Sequence, residues 1–255
     1  MVKDVEVLAI IPARGGSKSI PFKNIKALGG ISLIAYSIAA ALQAQVVNRV
    51  LVSTDDEDIA QIAYRWGAEV PFMRPGNLAE DDTPDLPVFQ HTLQWLEKNE
   101  GYKPEIVVHL RPTSPFRKIA HINRAVTTLQ RNAAASAVRT VCTPFQNPYK
   151  MWRIGQDEFL TPLLDGPGAE PYNMPRQELP VVYWQTGYVD VARSSTILEL
   201  QSMTGPRILP LIIGASETID LDSPEDWVMA EYFINSGQIR ISELGFSLSH
   251  PPASK

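Results

Sequence analysis

Short runs of β-branched apolar residues alternate with helical segments of 12 to 16 residues along this chain. The predicted strands are residues 5–11, 49–54, 69–72, 105–110, 136–141, 181–191 and 208–213, and the predicted helices are residues 33–44, 55–66, 84–99, 118–131 and 224–235. Parallel strands need crossover helices, which cover both faces of the sheet. The alternation therefore predicts an α/β fold with a Rossmann-like, mostly parallel sheet and helices on both faces.

The pattern breaks between residues 143 and 185, where prolines and glycines crowd together. The rest of the 255-residue chain, with 44% hydrophobic residues overall, is long enough for one large core, so we expect a single domain over residues 1–255. Trp152, Phe159, Leu163 and Tyr172 give the irregular segment apolar surface to bury. We therefore interpret residues 143–185 as an inserted element of loops and short strands, and not as a linker.

Charge and cysteine content restrict the partners. The net charge of −5 disfavours a nucleic-acid partner, which a protein usually attracts with a basic surface. One cysteine, Cys142, cannot form an internal disulfide, and this suits a reducing compartment. No apolar run reaches the roughly 18 residues of a membrane span. We expect a cytoplasmic protein that binds neither nucleic acid nor membrane.

The segment IIPARGGSKSIPFKNI, residues 10–25, follows the first predicted strand, where doubly wound sheets bind ligands. Gly15 and Gly16 allow backbone N–H groups to approach an anion closely. Arg14, Lys18 and Lys23 repel one another unless an anion such as a triphosphate neutralises them. The spacing matches neither a Walker A loop nor the Gly-x-Gly-x-x-Gly fingerprint, and a glycine-rich surface turn with solvated charges is the alternative.

A second group is TIDLDSPEDW, residues 218–227. Asp220 and Asp222 are two residues apart, so in an extended segment their side chains point the same way. Oxygen ligands on one side of a strand suit Mg²⁺ or Mn²⁺ that also binds phosphates. The alternative is a helix start, in which acidic residues are favoured and Asp222 or Ser223 is the cap. That alternative leaves Asp220 unexplained.

Other polar groups follow predicted strand ends. Asp55 and Asp56 come after the second strand; Asp55 could bind a metal or a ribose hydroxyl or cap the next helix, and the cap role is favoured for Asp56. Further candidates are Arg111, Thr113 and Ser114 in the proline-restrained turn RPTSPFR, Arg74 in RPGNLAEDDT, and Lys150 and Arg176 within the insertion. The alternative for Arg111 and Arg117 is that they pair with acidic neighbours. The histidines have no companions at metal-ligand or triad spacing, and we interpret them as structural.

The motifs IPARGGSKSIPFKNI, GISLIAYSI, VSTDDEDIA, RPGNLAEDDT, RPTSPFR, MPRQELP and IDLDSPED occur in this order and span nearly the whole chain. Together they resemble the acylneuraminate cytidylyltransferase family, the CMP-sialic acid synthetases. The resemblance implies a nucleotidyltransferase fold of the GT-A-like type and a reaction that supplies precursors of cell-surface polysaccharides. In that reaction CMP passes from CTP to the anomeric 2-hydroxyl of a nonulosonic acid, and pyrophosphate is released.

The resemblance also implies roles for individual residues. The nucleotide-binding set is Ala13, Arg14, Gly15, Gly16, Ser17, Lys18, Lys23, Asn24, Arg74 and Thr83, with Arg74 beside the base. The set for the sugar acid is Asp85, Arg111, Thr113, Ser114, Lys150, Arg176 and Gln185. Asp220 and Asp222 would bind Mg²⁺ or Mn²⁺ and, with Arg14 and Lys23, form the catalytic set. The insertion would contribute to a homodimer interface.

Two positions depart from the family pattern. Arg111 stands where the sialic acid enzymes have glutamine, and Trp184 stands where they have a second arginine after the one matching Arg176. These changes leave the choice of sugar acid open. Relatives that activate legionaminic or pseudaminic acid share the opening motif, and one branch uses GTP.

Two alternative functions fit the sequence less well. A catalytically silent nucleotide-binding homologue would be expected to lose the charged ligands, whereas Arg14, Lys18, Lys23, Asp220 and Asp222 are all present. A glycosyltransferase would usually have its Asp-x-Asp pair after a mid-domain strand, and not near residue 220.

Overall fold

The computed structural model describes residues 5–244, and the central feature is a six-stranded sheet. Its strands are β1 (Val7–Pro12), β4 (Arg49–Ser53), β5 (Ile106–His109), β6 (Ala137–Cys142), β9 (Trp184–Arg193) and β10 (Ile208–Ile212). Two hairpins contribute β2 (Ala27–Leu28) with β3 (Ile31–Ser32), and β7 (Trp152–Ile154) with β8 (Leu160–Pro162).

The strand order is β10-β6-β9-β5-β1-β4. β4, β1 and β5 run parallel to one another, as do β6 and β10, while β9 is antiparallel to both of its neighbours. The strands around β1 are buried on both faces, since Leu8, Ile10 and Leu51 belong to one apolar cluster and Ala9, Ile11 and Val52 to another. The predicted mostly parallel α/β sheet is therefore confirmed.

The helices are α1 (Leu33–Leu42), α2 (Glu57–Arg65), α3 (Asp85–Glu100), α4 (Ile119–Gln130), α5 (Ser194–Leu198) and α6 (Pro224–Asn235). Ser223 accepts a hydrogen bond from the backbone N–H of Asp226 and so caps α6 as predicted. Ser32 occupies the N-cap position of α1 without a side-chain cap bond. Among residues 5–244, no helix is long and apolar enough to cross a lipid bilayer.

The strand predicted at residues 69–72 is wrong. Only isolated bridges occur there, from Leu51 to Glu69 and from Thr54 to Met73. Pro71 lies between them and has no N–H to donate, so a regular ladder cannot continue along the edge of β4.

The insertion forms the β7–β8 hairpin and short 3₁₀ turns at Pro148–Lys150, Pro171–Asn173 and Arg176–Glu178. The hairpin is exposed along both of its strands. The dimer role of this segment and the single-domain organisation stay predictions.

Candidate active site

The loop after β1 is built so that its backbone amides stay close to the sheet. Ala13 is buried, and its N–H donates to the carbonyl of Ser53 at the end of β4. The N–H of Gly15 donates to Asp55 Oδ1 at 3.0 Å. A Cβ on Gly15 would lie 2.6 Å from Asp56 Oδ2, whereas Gly16 has open space at that position. Glycine is therefore required at 15 for the close approach to α2.

Asp55 and Asp56 thus both have structural partners. Asp56 caps α2 by accepting a hydrogen bond from the Ile59 N–H at 2.9 Å, as predicted. Asp55 fixes the glycine turn, a role that the sequence did not indicate.

The cations of this loop are not isolated. Arg14 Nη1 lies 2.8 Å from Asp81 Oδ1, and Lys18 Nζ pairs with the other oxygen of the same carboxylate. These two cations lower the pKa of Asp81, with Lys18 as the larger cause. Asp81 therefore occupies the position of an anion between them. Sequence reasoning missed this residue, although the run EDD at residues 80–82 follows Arg74 closely.

Lys23 connects the glycine loop to the segment before α6 through two contacts. Its Nζ donates to the carbonyl of Leu221 at 2.9 Å and lies 3.4 Å from Asp222 Oδ1. Phe22, directly before it, has a φ of 55°, a left-handed conformation that is uncommon outside glycine. Asn24 donates through Nδ2 to the Arg14 carbonyl at 2.9 Å. The loop that holds the cations is thus fixed at several points.

The two aspartates near α6 lie beside this lysine. Burial and, to a lesser degree, the negative charge of Asp222 raise the pKa of Asp220, although Thr113 opposes this by a side-chain hydrogen bond to its carboxylate. The Leu221 N–H donates to the Thr113 carbonyl at 2.8 Å, which fixes the segment against the turn after β5. Because Ser223 is the helix cap, capping explains neither Asp220 nor Asp222.

A cleft of about 410 Å³ lies at the carboxyl ends of β1 and β5, where Pro12 and Arg111 line it. We call it the first cleft. The predicted site residues that line it are Arg14, Gly16, Ser17, Lys18, Lys23, Asn24, Arg74, Thr83, Asp85, Arg111 and Thr113. Asp81, Leu78 and Val88 complete its far wall. Residues from both predicted substrate sets therefore share one cleft.

Arg74 has a structural role in this wall. It is 6% exposed, and its Nε donates to Ser53 Oγ at 3.1 Å while a terminal nitrogen donates to the Ser53 carbonyl. Burial lowers the pKa of Arg74 to about 10. Ser114, by contrast, is 2% exposed and does not line the cleft.

Arg111 is bound on two sides. Nη1 donates to Asp190 Oδ2 at 2.8 Å and to the Gly187 carbonyl at 3.3 Å, and Nη2 donates to Asp85 Oδ2 at 2.9 Å. Asp190 is a buried residue of β9 that sequence reasoning also missed, since its alternation within VVYWQTGYVDV gives no sign of a charged partner.

A second cleft, of about 660 Å³, begins at Asp220. Its apolar wall comprises Phe145, Met151, Trp184 and Met229. Thr113 lines the first cleft and Asp220 the second, and the two side chains are hydrogen-bonded. The Asp220 carboxylate thus lies at the boundary between the two spaces.

Lys150, Arg176 and Gln185 lie outside both clefts. Lys150 Nζ donates to the carbonyls of Tyr172 and Met174, and Arg176 donates to the carbonyl of Pro144. Within one chain, Lys150 and Arg176 thus stabilise the insertion.

Comparison with known proteins agrees with this geometry. The family model described as cytidylyltransferase matches residues 8–198. The chain is 32% identical over 235 residues to the CMP-N,N'-diacetyllegionaminic acid synthase of Legionella pneumophila, covering 92% of this chain and 98% of that protein. It is 31% identical to the N-acylneuraminate cytidylyltransferase of Escherichia coli O18:K1:H7, covering 88% of this chain and 51% of that protein.

A solved structure has the same fold. The chain matches CMP:2-keto-3-deoxy-manno-octonic acid synthetase complexed with CTP with a TM-score of 0.67 at 17% identity, covering 91% of this chain and 99% of that one. The family match extends over the glycine loop, the first cleft and all of β9. The chain therefore belongs to the cytidylyltransferase family and is a nucleotidyltransferase.

Proposed function

We propose that this enzyme transfers CMP from CTP to the anomeric 2-hydroxyl of a nonulosonic acid and releases pyrophosphate. The observation that carries the proposal is the contact of Lys23 with Asp222, which places the acidic pair beside the cationic glycine loop of the first cleft. The names of the relatives support the substrate class, because they include a legionaminic acid and a neuraminic acid enzyme.

In this reaction the acceptor oxygen bonds to the α-phosphorus, and the bond from that phosphorus to the bridging oxygen of pyrophosphate breaks. The acceptor hydroxyl loses its proton, which ends in solvent, as the new bond forms; among the described residues, no histidine lines the first cleft. Positioning and fixed positive charge do most of the work in such transfers. Arg14, Lys18 and Lys23 would hold the triphosphate and stabilise the negative charge that develops on the leaving group.

Asp220 and Asp222 would hold Mg²⁺ or Mn²⁺. Two carboxylates of one extended segment, one of them buried with a raised pKa, form a donor set that a divalent cation stabilises. Residues 5–244 contain no group of three or more His, Cys, Asp or Glu side chains for a metal, which suits an ion that completes its shell with phosphate and water. When bound, the ion neutralises phosphate charge and lowers the pKa of a coordinated hydroxyl.

We further propose a homodimer in which the insertion covers the partner's site. Phe145, Ile154, Phe159 and Val181 are between 72% and 89% exposed, which is unusual for so many large apolar side chains in one segment. The second cleft is lined by Asp220, Glu225 and Asp226 and, among the described residues, by no cation. Lys150 and Arg176 of a second copy would supply the missing positive charge for a sugar acid.

A pyrophosphate-release assay with CTP and GTP against neuraminic, legionaminic and pseudaminic acids tests the reaction and identifies the nucleotide. We expect turnover with CTP and at least one of these acids. A silent nucleotide-binding homologue would bind CTP and release no pyrophosphate with any acceptor, and GTP-dependent turnover alone would assign the chain to a guanylyltransferase.

Mixing two inactive variants tests the shared site. Arg176→Ala and Asp222→Asn are each expected to lose activity, whereas mixed dimers form one site with an intact Asp222 from one chain and an intact Arg176 from the other. Recovery of up to about one quarter of wild-type activity is expected if subunits mix at random. A protein that is monomeric by light scattering, or a mixture that stays inactive, would contradict the shared site.

A further inference from the structure

The guanidinium group of Arg111 donates hydrogen bonds to two carboxylates from different parts of the chain. Asp85 begins α3 and lines the first cleft, whereas Asp190 lies in the middle of β9 with an 8% exposed side chain. Arg111 itself is 26% exposed, so it lies between the buried acid and the cleft. Both terminal nitrogens are therefore fixed before any substrate arrives.

The backbone of β9 is shaped around this arginine. Gly187 has a φ of 66°, and a Cβ at that position would lie 3.2 Å from Arg111 Nη1. The carbonyl of Gly187 accepts one of the Arg111 hydrogen bonds. The pairing of β9 with β6 is irregular in this region, between Arg139 and Val141. A positive φ and a close approach both require glycine here.

The charges of the cluster cancel. Arg139 Nη1 lies 3.7 Å from the same Asp190 oxygen that binds Arg111. Asp85, Arg111, Asp190 and Arg139 thus contribute two negative and two positive charges, and the neighbouring His109 is kept neutral by burial, which lowers its pKa to about 3. Replacing such buried pairs by apolar residues is often neutral or stabilising, so stability alone is a weak reason for this network.

We propose that the Asp85–Arg111–Asp190 unit reads uncharged hydrogen-bonding substituents of the acceptor, and that Asp190 is the positioning residue that holds Arg111 for this role. The proposal rests on the proposed function. An arginine whose charge is already matched by two carboxylates gains little from a third. It can still present N–H donors, and Asp85 can present a carboxylate oxygen, to hydroxyl or acylamino groups.

This assignment differs from a carboxylate clamp, which is the usual use of an exposed arginine in a sugar-acid site. A clamp recognises the acid group that every acceptor shares. A charge-compensated unit instead recognises the uncharged substituents in which acceptors differ. A site built around specific hydrogen bonds discriminates strongly against analogues that lack them.

A double-mutant cycle tests the positioning role. We expect Arg111→Gln and Asp190→Asn each to raise the acceptor KM about tenfold and to change the rank order of acceptors, while the KM for CTP stays within about threefold. In the Arg111→Gln background, Asp190→Asn should have no further effect on the acceptor KM, because there is no longer an arginine to position. Asp190→Glu, which keeps the carboxylate, should raise the acceptor KM less than Asp190→Asn does.

Arg139→Gln is the matched control, since it disturbs the same buried oxygen from the side away from the first cleft. We expect it to lower the melting temperature without changing the acceptor ranking. If it shifts the acceptor KM as much as Asp190→Asn does, or if the two mutations of the cycle act additively, the positioning role is wrong.

An acceptor without a carboxylate charge distinguishes recognition of the uncharged substituents by Arg111 from binding of the carboxylate by Arg111. The amide of the preferred sugar acid should be a poorer substrate by the same factor for the wild type and for Arg111→Gln. A factor that disappears in Arg111→Gln would assign Arg111 to the carboxylate and overturn the proposal. Wild-type turnover in the same assay decides the proposed function separately: without it both proposals fail, and with it only the role of this unit is at stake.

Discussion

Lys23 and Asp222 are separated by 199 positions in the chain and lie 3.4 Å apart at their charged atoms. The lysine side chain is only 12% exposed, whereas the aspartate is 73% exposed. The contact therefore has one constrained partner and one that can reorient toward a ligand. Lys23 also donates to the Leu221 carbonyl, so it remains in place if Asp222 turns away.

Loss of this lysine should impair the chemical step. We expect Lys23→Ala to lose about 3 kcal/mol of transition-state stabilisation, or roughly 100-fold in kcat/KM, as for the removal of one preorganised charge donor. Steady-state kinetics at saturating acceptor measures this. Lys103→Ala, which removes a surface lysine paired with Glu97, is the control. Near wild-type turnover of Lys23→Ala at saturating CTP would remove this residue from the phosphate site.

Asp81 should compete with the triphosphate. It pairs with Arg14 and Lys18, the cations that we assign to phosphate, and CTP has to displace it. We expect Asp81→Asn to lower the Kd for CTP by about threefold, since exposed ion pairs are weak and easily exchanged. Calorimetric titration with CTP measures this, with Asp82→Asn as the control. Weaker CTP binding in Asp81→Asn would instead make Asp81 part of the nucleotide site.

The aspartate pair should make the activity dependent on a divalent cation and on pH. Because burial and Asp222 raise the pKa of Asp220, protons compete with the metal at a higher pH than for an ordinary aspartate, and metal affinity should fall as the pH drops through that raised pKa. Asp222→Asn removes the charge that helps to raise it, so the affinity of Asp220 for protons should decrease.

Activity titrated with Mg²⁺ at several pH values tests this expectation. Both Asp220→Asn and Asp222→Asn should lose activity and remain folded by circular dichroism. Full wild-type activity in excess chelator would exclude the metal role. Unfolding of both variants would favour a purely structural role for the segment.

The sequence was sufficient for the parts of the fold that depend on local pattern. Continuous apolar runs located β1, β4 and β5 to within one or two residues, because these strands are buried on both faces of the sheet. The cap residue Ser223 located the start of α6. The prediction at residues 69–72 missed the effect of Pro71 on strand pairing. The glycine loop and the Asp220–Asp222 pair were identified because their chemistry is concentrated within a few residues.

Contacts between distant residues could not be predicted. Asp81 is the middle residue of an acidic run whose neighbours have the same charge, and Asp190 is a single acid within an apolar strand, so the chain marks out neither of them. Only the sheet order brings Asp190 beside Arg111. Lys150 and Arg176 were expected to reach a substrate, whereas within one chain they bind backbone carbonyls of the insertion. Their roles toward a substrate stay predictions, because they depend on a second copy of the chain.

His109 should make the folded state sensitive to mild acid. It is 2% exposed in β5 beneath Phe89, and burial, together with the charge of Arg111, lowers its pKa to about 3 against the opposing effects of Asp85 and Asp190. The unfolded chain binds a proton at this histidine below its ordinary pKa of about 6.5, whereas the folded chain does not. Stability is therefore fully present above about pH 6.5 and is lost as the pH falls from there toward 3.

The size of the effect follows from the same linkage. Protonation of His109 in the unfolded chain should lower the free energy of unfolding by about 2 kcal/mol between pH 7.5 and pH 5. Ordinary carboxylates titrate little in this pH range. Urea unfolding at the two pH values measures it. His109→Gln should lose about 2 kcal/mol less than the wild type over this range, whatever its absolute stability. His121→Gln, at a histidine that is less deeply buried, should reduce the acid-induced loss of unfolding free energy by a smaller amount. An equal acid loss in the wild type and in His109→Gln would mean that His109 is protonated in the folded protein, and that Asp85 and Asp190 outweigh its burial.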